Sequence, residues 1–215
     1  MNIKKFKHSC FVVESGEARL LFDPGAYSFS IGGIKPSEIG TIDAIFITHR
    51  HVDHLDLKAL EFFTNIPIYT DHETITELAK VGIKGEIFES GHIKIKHTKV
   101  EAYTASHEKI LAPCPTNIAY FVEKKFLHAG DSLSANLARL KPVVLAYPII
   151  APWMTEIEGF NFAKLLNPKY ILPSHDGLAT DFFRKSKHQQ LKEFFAKEGI
   201  EFISSGNGDL IEFEI

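Results

Sequence analysis

Short apolar runs divided by polar turns set the pattern of the first part of the chain. Phe11-Val12-Val13 and Arg19-Leu20-Leu21-Phe22 flank Ser15-Gly16-Glu17 and read as two strands joined by a turn. Asp23-Pro24-Gly25 closes the second strand. Residues 24–40, rich in Gly, Ser and Pro and carrying Tyr27 and Phe29, form a long loop of the kind that often carries function. Asp43 to Thr48 has the continuous apolar character of a buried strand. After Asp56, the residues Leu57, Leu60, Phe62 and Phe63 suggest a helix, and Ile66 to Thr70 a short strand. Asp71 is placed to cap a helix running to about Lys80, with Gly82 as its stop.

From Glu86 to Ser106 the period is two, clearest in His92-Ile93-Lys94-Ile95-Lys96-His97, as expected of a half-exposed antiparallel strand. Asn117–Val122 and Phe126–Ala129 read as a hairpin turning near Lys124. The last third alternates strand and helix: Val143–Leu145, a helix over Phe160–Leu166, Tyr170–Leu172, then a helix from about Lys187 to Ala196 ended by Gly199. Two short strands flank Ser205-Gly206-Asn207-Gly208. Strand-rich blocks broken by helices predict an α/β protein with two sheets covered by helices, an αββα layering. The length of 215 residues fits one domain, 1–215.

Composition narrows the function classes. The net charge of −3, without blocks of one sign, argues against bulk electrostatic binding of nucleic acid. Cys10 and Cys114 lack CxxC-type spacing, so reduced thiols are expected rather than a disulfide framework or a zinc ribbon. No apolar run approaches the ~20 residues of a membrane-spanning helix, and none follows Lys4, Lys5 and Lys7 as a signal peptide would. A cytoplasmic location is the expectation.

Chemistry concentrates in Thr48-His49-Arg50-His51-Val52-Asp53-His54, directly after Ala44-Ile45-Phe46-Ile47. His residues two apart project to one side of an extended segment, so His49 and His51 can reach one ion from a strand end. Asp53 and His54 project differently and suit a second ion. His107 follows the strand Val100–Thr104, Asp131 follows Phe126–Ala129, and His175 follows Tyr170–Leu172. Together with His49 they lie just past carboxyl ends of expected strands, the edge that favours ligands in layered α/β structures. The assignment is His49, His51 and His107 on one ion, Asp53, His54 and His175 on the other, and Asp131 bridging. Such a nitrogen and oxygen set suits zinc, with manganese, iron or cobalt as alternatives. Two ions sharing a water generate a hydroxide nucleophile near neutral pH, so no Ser or Cys nucleophile is required. Asp53 can orient that hydroxide or carry a proton to the leaving group.

These residues resemble the metallo-β-lactamase superfamily. His49-Arg50-His51-Val52-Asp53-His54 matches its HxHxDH signature in full. His107, Asp131 in His128-Ala129-Gly130-Asp131-Ser132, and His175 in Pro173-Ser174-His175-Asp176-Gly177 follow in the order of its later metal motifs. Asp23 in Phe22-Asp23-Pro24 matches its early acidic motif. The resemblance covers nearly the whole chain and is greatest to the compact branch of L-ascorbate-6-phosphate lactonase-like and related metal-dependent hydrolases. That branch often begins with Gly-His-Ser, where this chain has Lys7-His8-Ser9, and it carries a Pro-Ile element followed by Met, loosely resembled by Pro148-Ile149 and Trp153-Met154. The resemblance implies a four-layer αββα sandwich of two mixed sheets and a hydrolase. His51 stands where redox members usually have Glu.

The expected activity is dinuclear metal-dependent hydrolysis in which a metal-bridging hydroxide attacks an ester, lactone or related small molecule. A phosphodiesterase or nuclease, and a non-catalytic metal-binding sensor or scaffold, are the competing readings. His8 and Asp23 are candidates to support the ligands or face substrate, because a metal-bound imidazole usually needs a hydrogen-bond partner. His128 reads as a satisfied core histidine, whereas His72, His92, His97 and His188 read as solvated. Trp153, Met154, Phe182 and Phe183 either line the pocket or pack, and Arg184 either meets an anionic substrate or, as favoured here, is an exposed helix-flanking residue. The loops expected to cover the pocket are 24–40, 108–116, 147–156 and 176–185.

Overall fold

Burial on alternate sides turns this strand-rich sequence into two sheets. The computed structural model describes residues 1–215. In chain order its strands are β1 (Asn2–Lys5), β2 (Phe11–Ser15), β3 (Ala18–Phe22), β4 (Ala44–Phe46), β5 (Ile68–Thr70), β6 (Glu86–Ile87), β7 (Gly91–Ile95), β8 (Thr98–Thr104), β9 (Ile118–Val122), β10 (Phe126–His128), β11 (Val144–Pro148), β12 (Tyr170–Ser174), β13 (Glu201–Phe202) and β14 (Asp209–Glu212). The helices are α1 (Leu57–Leu60), α2 (His72–Lys80), α3 (Glu156–Leu166) and α4 (Asp181–Ala196).

One seven-stranded sheet has the order β14-β1-β2-β3-β4-β5-β6, and the other β13-β12-β11-β10-β9-β8-β7. Both are mixed: β3 to β6 are parallel, as are β10 to β13, and the remaining pairs are antiparallel. The two C-terminal strands part company across Ser205–Gly208, β13 joining one sheet and β14 the other.

The period of two sorts the core into three layers. Phe11, Phe22, Phe46, Tyr120, Phe126 and Val144 meet between the sheets. Their strand neighbours Val12, Leu21 and Ile45 face outward onto Leu60, Leu78 and the loop residues Phe29 and Ile34. On the far side, Leu127, Leu145 and Tyr147 pack against Phe162 and Leu166 of α3 and Leu191 and Phe195 of α4. Three apolar layers between four layers of structure make the αββα sandwich, with central strands buried on both faces.

Helix boundaries differ from expectation where capping outweighs apolar periodicity. Asp71 caps α2 as expected, accepting from the Glu73 and Thr74 amides. The helix after Asp56 stops at Leu60, because Phe62 and Phe63 bond back three residues and tighten into turns. α3 starts at Glu156, ahead of Phe160, through a Thr155/Glu158 capping box. α4 starts at Asp181 rather than about Lys187, with the Thr180 hydroxyl accepting from the Phe183 amide. The solvated reading of His188 is corrected: it lies on the face of α4 turned toward β13 and is buried, its ring 5.3 Å from that of Phe202. His72, His92 and His97 are exposed.

Candidate metal centre

The candidate ligands stand where strands of both sheets end. In one sheet β1, β3 and β4 run the same way, and beyond their carboxyl ends lie His8, Asp23 and His49–His54. In the other, β8, β10, β11 and β12 run together and end before His107, Asp131, Trp153 and His175. The edges are stitched to each other: the Ile118 amide donates to the Thr48 carbonyl at 2.9 Å, and the Tyr120 hydroxyl to the Ile47 carbonyl at 3.1 Å. His49, His54, His107, Asp131 and His175 are buried, and His51 and Asp53 half-buried.

Hydrogen bonds on one side of each ring decide what its other nitrogen can do. His54 Nδ1 lies 2.6 Å from Asp23 Oδ2, a carboxylate that can only accept, so Nδ1 carries the proton. Nδ1 of His107 donates likewise to the Glu108 carbonyl, and Nδ1 of His175 to the Ile150 carbonyl, each at 2.6 Å. Thr48 Oγ1 gives its only proton to Asp23 Oδ2 at 2.8 Å and therefore accepts from His49 Nδ1 at 3.0 Å. Each of these four rings in its neutral form has a lone pair on Nε2. The Nε2 atoms of His54, His107 and His175 have no hydrogen-bond partner although buried, and neither does Asp131 Oδ1. Unpartnered buried acceptors are costly, and cations bound among them would satisfy them.

The lone pairs converge in two groups. His49 Nε2 is 3.1 Å from His51 Nδ1, and Asp131 Oδ2 is 3.9 Å from His49 Nε2 and 3.6 Å from His107 Nε2. On the other side, Asp53 Oδ2 is 3.8 Å from His54 Nε2 and 3.4 Å from His175 Nε2. Asp131 joins both groups, with Oδ1 3.2 Å from His54 Nε2 and Oδ2 3.3 Å from His175 Nε2. Tetrahedral zinc with bonds of ~2.0–2.1 Å sets its donors roughly 3.4 Å apart. The donors present fit metal coordination, gathered in two clusters that Asp131 approaches from between. The structure brings all seven candidate ligands together.

Electrostatics differ across the centre. Burial, then the charge of His54, pushes the proton affinity of His49 well down, and burial with His107 lowers that of His51. On the other side burial also opposes charge, but Asp131 and Asp53 outweigh it and push His175 up to about 9. His54 is raised well above its ordinary range because Asp131, Asp23 and Asp53 together overcome its burial. Asp131, Asp53 and Asp23 stay ionised for the converse reason: burial disfavours their charge, and the surrounding imidazoles more than offset it. Protons and divalent cations thus compete for the Nε2 positions of His54 and His175.

Asp23 supports the ligands. Its carboxylate accepts from the Thr48 amide and hydroxyl, His54 and His128, and so fixes both the turn after β4 and one ring. His128 is the satisfied core histidine its sequence context suggested, at 2.7 Å from Asp23. Other contributors were not evident in the sequence. Asn117 donates to the Ala105 and Ala129 carbonyls and accepts from the Asp131 amide, bracing two strand ends. Gly130 beside it has φ +60°, and a Cβ there would collide with Asn117 Oδ1 and Thr48. Trp153, for which the sequence left pocket lining and packing both open, lies at the centre and donates from Nε1 to Asp131 Oδ2 at 3.0 Å. Buried Lys5 and Asp176 form an ion pair of 3.0 Å behind His8. Arg184 is held by Asp181 on its own helix.

Known proteins share this architecture. A sequence profile of the beta-lactamase superfamily domain matches residues 2–175. Protein Rv0786c of Mycobacterium tuberculosis is 30% identical over 208 residues, covering 90% of this chain and 92% of its own. A metal-dependent hydrolase of Desulfitobacterium hafniense is 27% identical over 198 residues, covering 81% of this chain and 83% of its own. Among solved structures, a metallo hydrolase of Ignicoccus hospitalis superposes with a TM-score of 0.73 at 23% identity over the full length of both chains. An isothiocyanate hydrolase from Delia radicum gut bacteria does so with 0.74 at 17% identity over 99% of each. The structural likenesses establish the fold, and the profile match across most of the sequence establishes descent: the chain belongs to the metallo-β-lactamase superfamily, in its compact branch of metal-dependent hydrolases.

Proposed function

We propose that this protein is a dinuclear metal-dependent hydrolase of small carboxylic or phosphorylated esters or lactones. The observation that carries the reading is the convergence of unpartnered Nε2 lone pairs on two carboxylates, one of which, Asp131, touches both groups. His49, His51 and His107 would hold one ion, Asp53, His54 and His175 the other, and Asp131 both. Bound there, two divalent ions supply a hydroxide nucleophile at neutral pH and polarise the electrophilic oxygen of the substrate. The chain's own part is positioning. Asp23 and the Glu108 and Ile150 carbonyls hold the rings in one tautomer, Trp153 steadies Asp131, and Asp53, the partly exposed carboxylate of the set, can take a proton from water or give one to a leaving group.

A small organic substrate is favoured over a polynucleotide by the surroundings. Three basic side chains of the surrounding elements are already paired: Arg50 with Glu73, Lys5 with Asp176, Lys187 with Glu156. Apolar side chains are exposed next to the ligands, Val52 between His51 and Asp53, and Leu178 and Phe182 soon after His175. Turnover by the zinc- and manganese-loaded protein of a panel of lactones, carboxylic esters and bis-p-nitrophenyl phosphate tests the reading. Chelator-sensitive lactone or ester hydrolysis with about two metal equivalents per chain is expected. Turnover of the phosphodiester alone would replace it with a phosphodiesterase, and an inert metal-loaded protein with a binding module.

A further inference from the structure

His8 sits among the second group of ligands, its Nε2 3.0 Å from Asp53 Oδ2 and its ring 4.1 Å from that of His175. By residue type and proximity, with ligand atoms all within 4.8 Å of one another, His8, Asp53, His54 and His175 could all hold one ion. The ring's other nitrogen separates His8 from the rest. The Gly177 amide donates to His8 Nδ1 at 3.1 Å. An amide N–H cannot accept, so Nδ1 carries the lone pair and the neutral ring has its proton on Nε2. That is the reverse of His49, His54, His107 and His175, whose Nδ1 atoms donate. A protonated Nε2 has no lone pair to give a metal, and the acceptor in front of it is Asp53.

We propose that His8 is a positioning residue, its Nε2–H committing Asp53 Oδ2 and thereby setting the carboxylate that serves the second ion. This rests on the dinuclear reading given above. The surroundings hold the ring to that task. His8 is fully buried, with a left-handed backbone at φ +59°. Its amide donates to Asp176 Oδ1 at 3.0 Å, its carbonyl accepts from the His175 amide at 3.2 Å, and Lys5 Nζ donates to the same Asp176 oxygen. Tyr27 packs edge-on against it at 5.0 Å. One clasp therefore fixes a ligand, His175, and the donor to another ligand, Asp53.

Zinc titration against a chromogenic chelator, together with long-range ¹H–¹⁵N correlation of histidine-labelled protein, tests the proposal. His8→Ala should weaken the second zinc equivalent by about 10–100-fold while leaving the first within a few-fold. His8→Gln, whose amide nitrogen can take the place of Nε2–H, should recover most of that loss, and His8→Asn, one bond too short, should not. In wild type the His8 ring should show a protonated Nε2 and a bare Nδ1 both without metal and with zinc. A bare Nε2, a His8→Gln variant as impaired as His8→Ala, or equal weakening of both equivalents would each overturn it. If wild type bound a single zinc, the dinuclear reading would fall on its own, and the tautomer in the metal-free protein would still decide the assignment of His8.

Discussion

The two halves of the metal centre are oriented by different means. In the half containing His49, His51 and His107, supports are near neighbours in sequence: Thr48 accepts from His49 and the Glu108 carbonyl from His107, each one residue away. In the half containing Asp53, His54 and His175, supports come from far along the chain. His54 leans on Asp23, 31 residues away, Asp53 on His8, 45 away, and His175 on the Ile150 carbonyl, 25 away. The halves differ in charge as well, with rings pushed toward neutrality on the first side and toward protonation on the second. A locally braced half tolerates distant change; a half strapped across the fold does not. On the dinuclear reading, the second ion would therefore be the adjustable one.

Loss of the shared carboxylate should erase the distinction. Asp131→Ala is expected to abolish dinuclear occupancy and lower turnover by roughly 10³-fold, read by elemental analysis and rate. Unchanged metal content and rate would remove Asp131 from the bridging role. Asp23→Asn comes next, because Asp23 anchors His54 directly and His49 through Thr48. Disturbing this buried network should cost about 3–5 kcal/mol in denaturant unfolding and weaken the second ion more than the first.

Protons should tell the halves apart without any mutation. His175, near 6.5 when unfolded and about 9 when folded, stabilises the metal-free protein fully below pH 6.5, and that contribution is lost as pH rises through 9. The same proton competes with metal. Affinity for the second ion should rise by up to about tenfold per pH unit toward pH 9. His49 and His51 are shifted the other way, so affinity for the first ion should stay nearly flat from neutral pH upward. Calorimetric titration at several pH values, with proton release measured from buffer dependence, checks this; parallel pH slopes would break the comparison.

The smallest effect is expected at the clasp behind His8. Lys5→Met leaves Asp176 charged, buried and short of a partner, which should destabilise the fold by about 3 kcal/mol and weaken only the second ion, by several-fold. Adding Asp176→Leu should restore much of the stability but not the affinity. Recovery of both, measured by unfolding and zinc titration, would show that the clasp has no part in the metal centre.

Much of the site was legible because its ligands are dense or placed by strand ends. His49 to His54 lie within six positions, and His107, Asp131 and His175 each follow a run of apolar residues that becomes a strand. The alternation of Phe11, Val12 and Val13, or of Leu20, Leu21 and Phe22, already held the two faces of a buried sheet. What the pattern concealed is polar satisfaction at long range. β1 is too short and too rich in Lys to read as a strand, and nothing local marks Lys5 as buried. Asn117 reads as the start of a strand and Asp176 as a loop residue, and the bracing that each provides shows only once the strand ends are assembled. The start of α4 was hidden because Phe182 and Phe183 are exposed rather than core-facing, so the apolar period begins after the helix does.

The clasp between His8 and Asp176 joins groups 168 residues apart. Seen along the time axis of protein synthesis, this imposes an order on metal loading. The ligands of the first half and the shared Asp131 have all been translated well before Asp176 and Gly177 exist. His8, among the first residues made, waits until more than four-fifths of the chain exists before its ring is locked. On the dinuclear reading, a second ion would be held fully only by a chain that has completed β12 and the turn behind it, and its uptake by nascent chains of graded length would report the moment at which the fold closes.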